Sequence, residues 1–490
     1  MTSSTQPLPR YSHYIDGAWV DAAGSDTFDV LDPYNGGVYA KAAAGSGSDA
    51  ERAVVAAQRA FPAWAELPPA DKQRLFLRAA DIMQSRRAEL IEILARETGC
   101  ARLFAERQQN GAQSTLRQAA NWVYRPAGEV LRSDHPGTHS LAVRRPLGVV
   151  ASFTPWNGAN ALGWNAIIFP IAAGNTVVVK PSEQAPISAG LVMAEIAEEA
   201  GFPPGVINVV THAPGAAGPI ADVFFDRPEV RCINFIGSAR TARVLAERAG
   251  RALKRSVLEL GGYNPIVVLA DADLDYAVRV VTFSAFFHQG QICMCARKVL
   301  VEQPIYEEFL TRLVQRVKNL ALGDPLDPAT VIGPLINDEA VRLVRERIDD
   351  AVNKGARVVT GGGSTGRLYE PTILVDVPSD ARVDHEETFG PLLVVAPVED
   401  ADRAIELANR HPYGLTCSIL TRDTFRGLEL TARISAGSAH VNIPTIDAES
   451  QAPFGGVRDS GWGRTGPDSL ADFTDLVWIS AHNGQRSLPL

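Results

Sequence analysis

The chain has 490 residues, of which 46% are hydrophobic and 21% charged, an ordinary globular composition too long for one core and suited to roughly two to four domains. With 47 lysines and arginines against 56 aspartates and glutamates, the formal charge of −9 disfavours nucleic acid or an anionic membrane as partner. Five cysteines, Cys100, Cys232, Cys293, Cys295 and Cys417, form an odd set without paired ligand spacing, so neither a disulfide framework nor a metal site is expected.

Residues 1–10 carry neither an apolar core nor an arginine-rich amphipathic pattern, and apolar runs such as 166–173 are short and broken by Pro170. No export signal or membrane span is expected, and the predicted location is cytoplasmic. Residues 11–45 alternate short β-rich runs with Asp-Gly, Ala-Gly and Asn-Gly turns, predicting a small antiparallel sheet. Helical pattern follows: a segment capped by Asp49, a second after Pro68-Pro69, and two more over 86–97 and 104–124. Residues 127–146 alternate around His135-Pro136-Gly137 and predict a protruding β-hairpin that needs a partner to cover it.

From Pro146 onward, apolar β runs at 148–153, 175–180, 206–210 and 232–236 alternate with helices near 161–173, 188–200 and 216–225. The pattern predicts an α/β fold with a largely parallel sheet, whose ligands bind beyond the carboxyl ends of the strands. A second α/β portion begins after Gly261-Gly262, with helices over about 305–322 and 338–353 and strands around 358, 373, 392–396 and 418–420. Residues 473–479 form a final strand, and the basic group Arg251, Lys254 and Arg255 reads as a solvated helix face.

Polar residues collect at the strand ends of the first α/β unit: Thr154-Pro155-Trp156-Asn157, then Lys180-Pro181-Ser182-Glu183, then Gly237-Ser238 at the start of a helix whose free amides suit a phosphate. Glu259 sits within the apolar run Val257-Leu258-Glu259-Leu260. A buried carboxylate there is costly without a partner or a task, and burial moves its pKa toward the range of a general base; the alternative is exposure on an edge strand. A helix capped near Asp271 and Asp273, running through Leu274 and Val281 to Phe286 and stopped by Gly290, delivers Cys293 onto a turn. A thiol held there on one side and open on the other is placed as a nucleophile, although an isolated cysteine is more ordinarily a buried small hydrophobe.

The motifs Phe153-Thr154-Pro155-Trp156-Asn157, Lys180-Pro181-Ser182-Glu183, Leu258-Glu259-Leu260-Gly261-Gly262, Gly290-Gln291-Ile292-Cys293, Glu387-Thr388-Phe389-Gly390-Pro391 and Pro453-Phe454-Gly455-Gly456, taken in this order, resemble the aldehyde dehydrogenase superfamily. The resemblance spans about residues 14–480 and implies an α/β architecture of three parts. These are a Rossmann-like NAD-binding domain (1–126 and 147–260), a second α/β catalytic domain (261–458), and a β-hairpin oligomerisation arm with the C-terminal strand (127–146 and 459–490). It further implies a nucleophile at Cys293, a base at Glu259 and an oxyanion donor at Asn157, and oxidation of an aldehyde to the free acid, because members that pass the acyl group to coenzyme A usually lack the glutamate.

The same resemblance places the cofactor on Thr154, Trp156, Lys180, Ser182 and Glu183, on Gly237 and Ser238, and on Glu387 and Phe389. Glu183 favours NAD, with NADP use possible; Ala239-Arg240-Thr241-Ala242 departs from the frequent Thr-Glu-x-Gly continuation, and Arg240 could contact a phosphate. The run His288-Gln289-Gly290-Gln291-Ile292-Cys293-Met294 and the ending Phe473-Thr474-Asp475-Leu476-Val477-Trp478-Ile479 are closer to bacterial aromatic aldehyde dehydrogenases of the vanillin, benzaldehyde and salicylaldehyde type. On that reading Trp164, Ile292, Met294, Ile446 and Phe454 wall an apolar pocket for a ring. Tyr263 and Cys295-Ala296-Arg297-Lys298 depart from that subgroup. The alternatives are an aliphatic or semialdehyde dehydrogenase and a catalytically silent homologue. The hairpin and terminal strand are expected to meet across the subunit interface of a homodimer or homotetramer.

Overall fold

The computed structural model describes residues 8–125, 127–486 and 488; residues 1–7, most of the segment tested for an export signal, lie outside it, as does Pro126 at the expected domain boundary. Eight strands form the first sheet. Its centre is five parallel strands in the spatial order Arg255–Glu259, Val230–Ile236, Val149–Thr154, Thr176–Pro181, Ile207–Val209. Numbered along the chain this is 5-4-1-2-3, so the order reverses between Val149–Thr154 and Val230–Ile236, and a crevice opens at their carboxyl ends.

The strand Thr176–Pro181 shows why the sheet is covered on both sides. Val177 and Val179 pack with the helices Pro69–Ser85, Arg102–Trp122 and Ala159–Ala172, while Val178 faces the layer of Gly47–Glu66 and Ala217–Asp226. Period-two alternation thus buries both faces, at about 1.5–3 kcal/mol for each fully buried aliphatic side chain. The second sheet runs Arg357–Thr360, Thr372–Val375, Leu392–Val398, Lys298–Glu302, Ile266–Val268, Thr416–Leu420, Ser438–Val441, parallel except at the first pair. The strands Ile266–Val268, Lys298–Glu302 and Ser438–Val441 and the helices Ala401–Arg410 and Thr424–Thr431 extend beyond the sequence expectation.

Several local expectations are corrected. The residues after Tyr11 do not form one antiparallel sheet: His13–Ile15 and Ala18–Val20 extend the edge of the first sheet, while Thr27–Leu31 and Val38–Ala43 join Arg10–Tyr11 elsewhere. Ser46, not Asp49, caps the first helix; Asp49 stands in its first turn and accepts the Ser46 backbone N–H at 2.9 Å. Arg255 and Lys254 are not on a solvated helix face. Arg255 lies on a strand and donates to the carbonyls of Ala471, Asp472 and Thr474, and Lys254 donates to those of Phe224 and Arg227.

The hairpin strands Gly128–Leu131 and Thr138–Pro146 pair with Thr474–His482 of the same chain in a three-stranded antiparallel sheet, so these segments meet within one subunit rather than across an interface. Between the arm and Arg458, Gly461–Trp462 pairs with Arg255–Glu259, covering the edge of the first sheet. The segment 459–490 is therefore shared between that sheet and the arm. Among the described residues no helix is long and apolar enough to cross a membrane.

Candidate active site

The helix Leu274–Phe286 is capped by Asp273, whose side chain accepts from the backbone N–H of Tyr276. Asp271 does not cap it; it accepts from Thr421 and from the backbone of Arg422 and Asp423. The helix ends at Phe286, before Gly290, because His288, Gln289 and Gly290 take φ of 49°, 55° and 70°. Two left-handed non-glycine residues cost about 1–2 kcal/mol each, and tertiary contacts hold them. Gln289 Nε2 donates to the carbonyls of Gly99 and Pro334, and the His288 ring stacks on Phe104 with centroids 4.3 Å apart. At Gly290 a Cβ would stand 2.1 Å from the Gly390 carbonyl oxygen, so only glycine lets the two loops touch.

This turn brings Cys293 to the meeting of two cavities. One, of about 510 Å³, and the other, of about 850 Å³, share Asn157, Leu162 and Cys293 in their walls. Of the five cysteines only Cys293 is not fully buried; all are free thiols. Cys295 is packed behind it, with its Sγ 3.8 Å from the Phe287 carbonyl. Burial pushes the Cys293 thiol up to about 12, and the carboxylates of Glu387 and Glu259 add to the shift.

Glu259 ends the strand Arg255–Glu259 at the crevice and is buried, with both carboxylate oxygens lacking a hydrogen-bond partner. Burial raises its pKa well above the usual carboxylate range, against the opposing charge of Arg464. The edge-strand alternative is excluded by Gly461–Trp462, which covers that strand. Asn157 is buried where the strand Val149–Thr154 opens into a loop, and its Nδ2 donates to the Gln291 carbonyl at 3.0 Å. One amide hydrogen thus fixes the side chain two residues from the thiol, and the second remains for a ligand.

All nine residues expected to hold the cofactor line the larger cavity. Lys180, Ser182 and Glu183 stand at one strand end, Gly237 and Ser238 at the start of the helix Ala239–Arg251, and Thr154 and Trp156 at the strand between. Glu387 accepts the Gly262 backbone N–H at 3.3 Å, and a Cβ on Gly261 would meet its Oε2 at 2.1 Å. Phe389 makes an edge contact with Trp156, centroids 5.6 Å apart. Arg240 lines the same cavity.

Ile292, Met294, Ile446 and Phe454 line the smaller cavity, but Trp164 does not: it is fully buried in the core between the helices and the first sheet. The helix Ala159–Ala172 meets the cavity with Ala161, Leu162, Asn165 and Phe169 and turns Trp164 into the core, and the helix Arg102–Trp122 forms another wall. That second helix supplies Arg107, Asn110, Ser114 and Thr115, a polar wall that no local sequence signal announced. Asn165 faces it and accepts from Thr115 at 2.9 Å.

Sequence reasoning also missed the supports of the thiol loop. Asn264, at φ 52°, donates from Nδ2 to the carbonyls of Cys293 (2.6 Å) and Cys295 (2.8 Å) and accepts the Thr416 backbone N–H. Arg297, buried, donates to the carbonyls of Gly290, Ile292 and Gly390. The only sequence trace was their place, Asn264 directly after Gly261-Gly262-Tyr263 and Arg297 at a departure from the subgroup pattern.

Known proteins resemble this chain over nearly its whole length. The chain matches the family model described as "Aldehyde dehydrogenase family" over residues 19–479. It is 41% identical to the vanillin dehydrogenase of Pseudomonas fluorescens over 97% of this chain and 98% of that one. The crystal structure of a salicylaldehyde dehydrogenase from Pseudomonas putida G7 complexed with salicylaldehyde superposes with a TM-score of 0.96 at 36% identity, covering 98% of this chain and 100% of the other. An E. coli NADP-dependent enzyme superposes with a TM-score of 0.94 at 35% identity, covering 97% and 99%.

Proposed function

This chain belongs to the aldehyde dehydrogenase family, and we propose that within it the substrate is an aromatic aldehyde of the benzaldehyde or vanillin kind, with Cys293 as nucleophile, Glu259 as base and Asn157 as oxyanion donor. The enzyme oxidises an aldehyde to the carboxylic acid with NAD(P). The observation that carries the proposal is the position of Cys293 between a cavity with apolar walls of Phe169, Ile292, Ile446 and Phe454 and a second cavity lined by Glu259.

The donor set of the larger cavity fits a dinucleotide: an ammonium and a carboxylate at one end (Lys180, Glu183), a helix start at the middle (Gly237, Ser238), and Glu387 with Phe389 beside the thiol. NAD(P), when bound there, supplies the acceptor for the hydride that leaves the substrate carbon. Glu183 disfavours a 2′-phosphate, so NAD is the preferred form.

The chain's own residues do the rest. Thiolate attack by Cys293 Sγ on the aldehyde carbon gives a thiohemiacetal, whose oxyanion meets the free amide hydrogen of Asn157 and the Cys293 backbone N–H. The Cys293 thiol, raised to about 12 by burial, gives up its proton to solvent in the cavity as it attacks. After oxidation the acyl group remains on Sγ as a thioester, and Glu259 deprotonates the water that releases the acid. Asn264 and Arg297 hold the backbone of the loop that carries the sulfur.

One observation favours a second reading, a semialdehyde carrying a carboxylate: Arg107 lines the smaller cavity. Its guanidinium already donates to the Ile446 carbonyl, lies 3.9 Å from Asp447 and covers the Phe283 ring, which leaves the aromatic reading ahead. A panel of benzaldehydes, aliphatic aldehydes and ω-carboxy aldehydes, followed by NADH and NADPH absorbance, decides. The aromatic reading requires the highest kcat/KM on ring aldehydes, and preference for a carboxy aldehyde would replace it.

We propose the division 1–126 and 147–260, 261–458, and 127–146 with 459–490, with Gly461–Trp462 moved to the first unit; the separate sheets and the arm support it. We further place the enzyme in the cytoplasm, because five free thiols including the nucleophile call for a reducing compartment. Val130, Leu476 and Trp478 stand exposed on the arm, and burying them supports a homodimer or homotetramer. A monomer by light scattering at micromolar concentration would remove that assembly.

A further inference from the structure

His212 is buried in the loop after the strand Ile207–Val209, outside every motif named above. Its Nδ1 stands 2.9 Å from the Ala213 carbonyl oxygen, which can only accept, so Nδ1 carries the proton. Nε2 is then a bare acceptor, and the Lys180 ammonium donates to it at 2.7 Å. Glu183 Oε2 lies 3.8 Å from the same Nε2, while Lys180 and Glu183 are not directly paired. The ring stands between an acid and a base three residues apart that would otherwise neutralise each other.

Resting on the placement of Lys180 and Glu183 at the adenosine end of the cofactor, we propose that His212 is a positioning residue that sets dinucleotide affinity and the choice between NAD and NADP. It gives the Lys180 ammonium a neutral acceptor, which fixes the side chain at the cavity wall without discharging it. Two of the three ammonium hydrogens stay free for ribose hydroxyls. It also leaves Glu183 unneutralised, and that carboxylate is what turns away a 2′-phosphate. Burial lowers the pKa of both His212 and Lys180, the latter to about 8, so at neutral pH the pair is a neutral ring and a charged ammonium. Without the ring acceptor, Lys180 closes on Glu183, and both the hold on the NAD ribose and the repulsion of NADP weaken.

The test is direct binding of NAD and NADP by isothermal titration to the full-length enzyme, alongside kcat and KM, for His212→Leu, His212→Gln and Lys180→Ala. Glutamine carries its amide oxygen near the place of Nε2 and restores the acceptor; leucine does not. His212→Leu is expected to weaken NAD about tenfold and NADP by less, with kcat within about twofold, and His212→Gln to keep NAD binding within about twofold of the native value. Equal losses for both nucleotides in His212→Leu, or the same loss in His212→Gln as in His212→Leu, would overturn the inference. If Lys180→Ala weakens NAD while His212→Leu leaves it unchanged, the role of His212 fails and the adenosine site stands. If Lys180→Ala itself leaves NAD binding unchanged, the placement of the site fails instead.

Discussion

Glu259→Gln separates the two halves of the reaction. The substitution keeps the side-chain volume and removes the base, and because both carboxylate oxygens lack a protein partner it breaks no hydrogen bond within the protein. The effect is then read on chemistry rather than on folding. A positioned general base contributes about 10²–10⁴-fold. At 1.36 kcal/mol per tenfold this is about 3–5 kcal/mol on the barrier to thioester hydrolysis. Glu387, the other carboxylate beside the thiol, is tied to the Gly262 backbone N–H and cannot take over. Stopped-flow absorbance should show NADH released in a burst of about one equivalent per active subunit, followed by a steady state at least about a hundredfold below the native rate. Mass spectrometry of the quenched enzyme should find the acyl group on Cys293. Steady-state turnover within about tenfold of native, or an enzyme that carries no acyl group, would refute the assignment of the base.

Cys293→Ala should abolish NADH formation, burst included, while NAD titration remains that of the native enzyme; residual turnover on another thiol would be inconsistent with the burial of the other four cysteines. Asn264→Ala leaves the Cys293 and Cys295 carbonyls without their amide donor and puts alanine at φ 52°. Each orphaned buried group costs about 1–3 kcal/mol, and the loosened loop should lower kcat about 10²-fold together with the melting temperature. A lower melting temperature with unchanged kcat would show that Asn264 only stabilises. In the pH profile, turnover at saturating NAD should climb through the alkaline range, since burial pushes the Cys293 thiol up to about 12 and shifts the Glu259 carboxyl upward, so that both give up their protons more readily as pH rises. NAD affinity should move the other way: the Lys180 ammonium, lowered to about 8 by burial, is charged at pH 7 and lost as pH rises through 8. Calorimetric titration at pH 7 and pH 9 checks this, and the difference should vanish in Lys180→Met.

The parallel strands of the first sheet were legible because each is a fully buried apolar run bounded by polar punctuation, and the fold places ligand groups at such ends. That logic reached Asn157, Lys180 and Glu259 without any knowledge of what they face. Boundaries were less secure where a side chain answers to a distant partner. Asp49 and Asp271 look alike as helix starters, yet one serves the first turn beside Ser46 and the other ties down the loop at Arg422. Trp164 carried the pattern of a pocket wall as well as of a core residue, and the packing of the helix Ala159–Ala172 put it in the core while Phe169 of the same helix reached the cavity.

What the sequence determined by itself is the strand ends and their polar residues, which follow periodicities a few residues long, and, through the family resemblance, the candidate reacting groups among them. What tertiary structure decided is their state and their surroundings. Glu259 stands on a covered strand rather than an edge because Gly461–Trp462, some two hundred residues later, pairs beside it. The turn at His288 and Gln289 is left-handed because Gly99, Pro334 and Phe104 hold it so, and Cys293 is open because that turn ends between two cavities. Each is a contact between segments far apart in the chain, and no local pattern encodes such a contact.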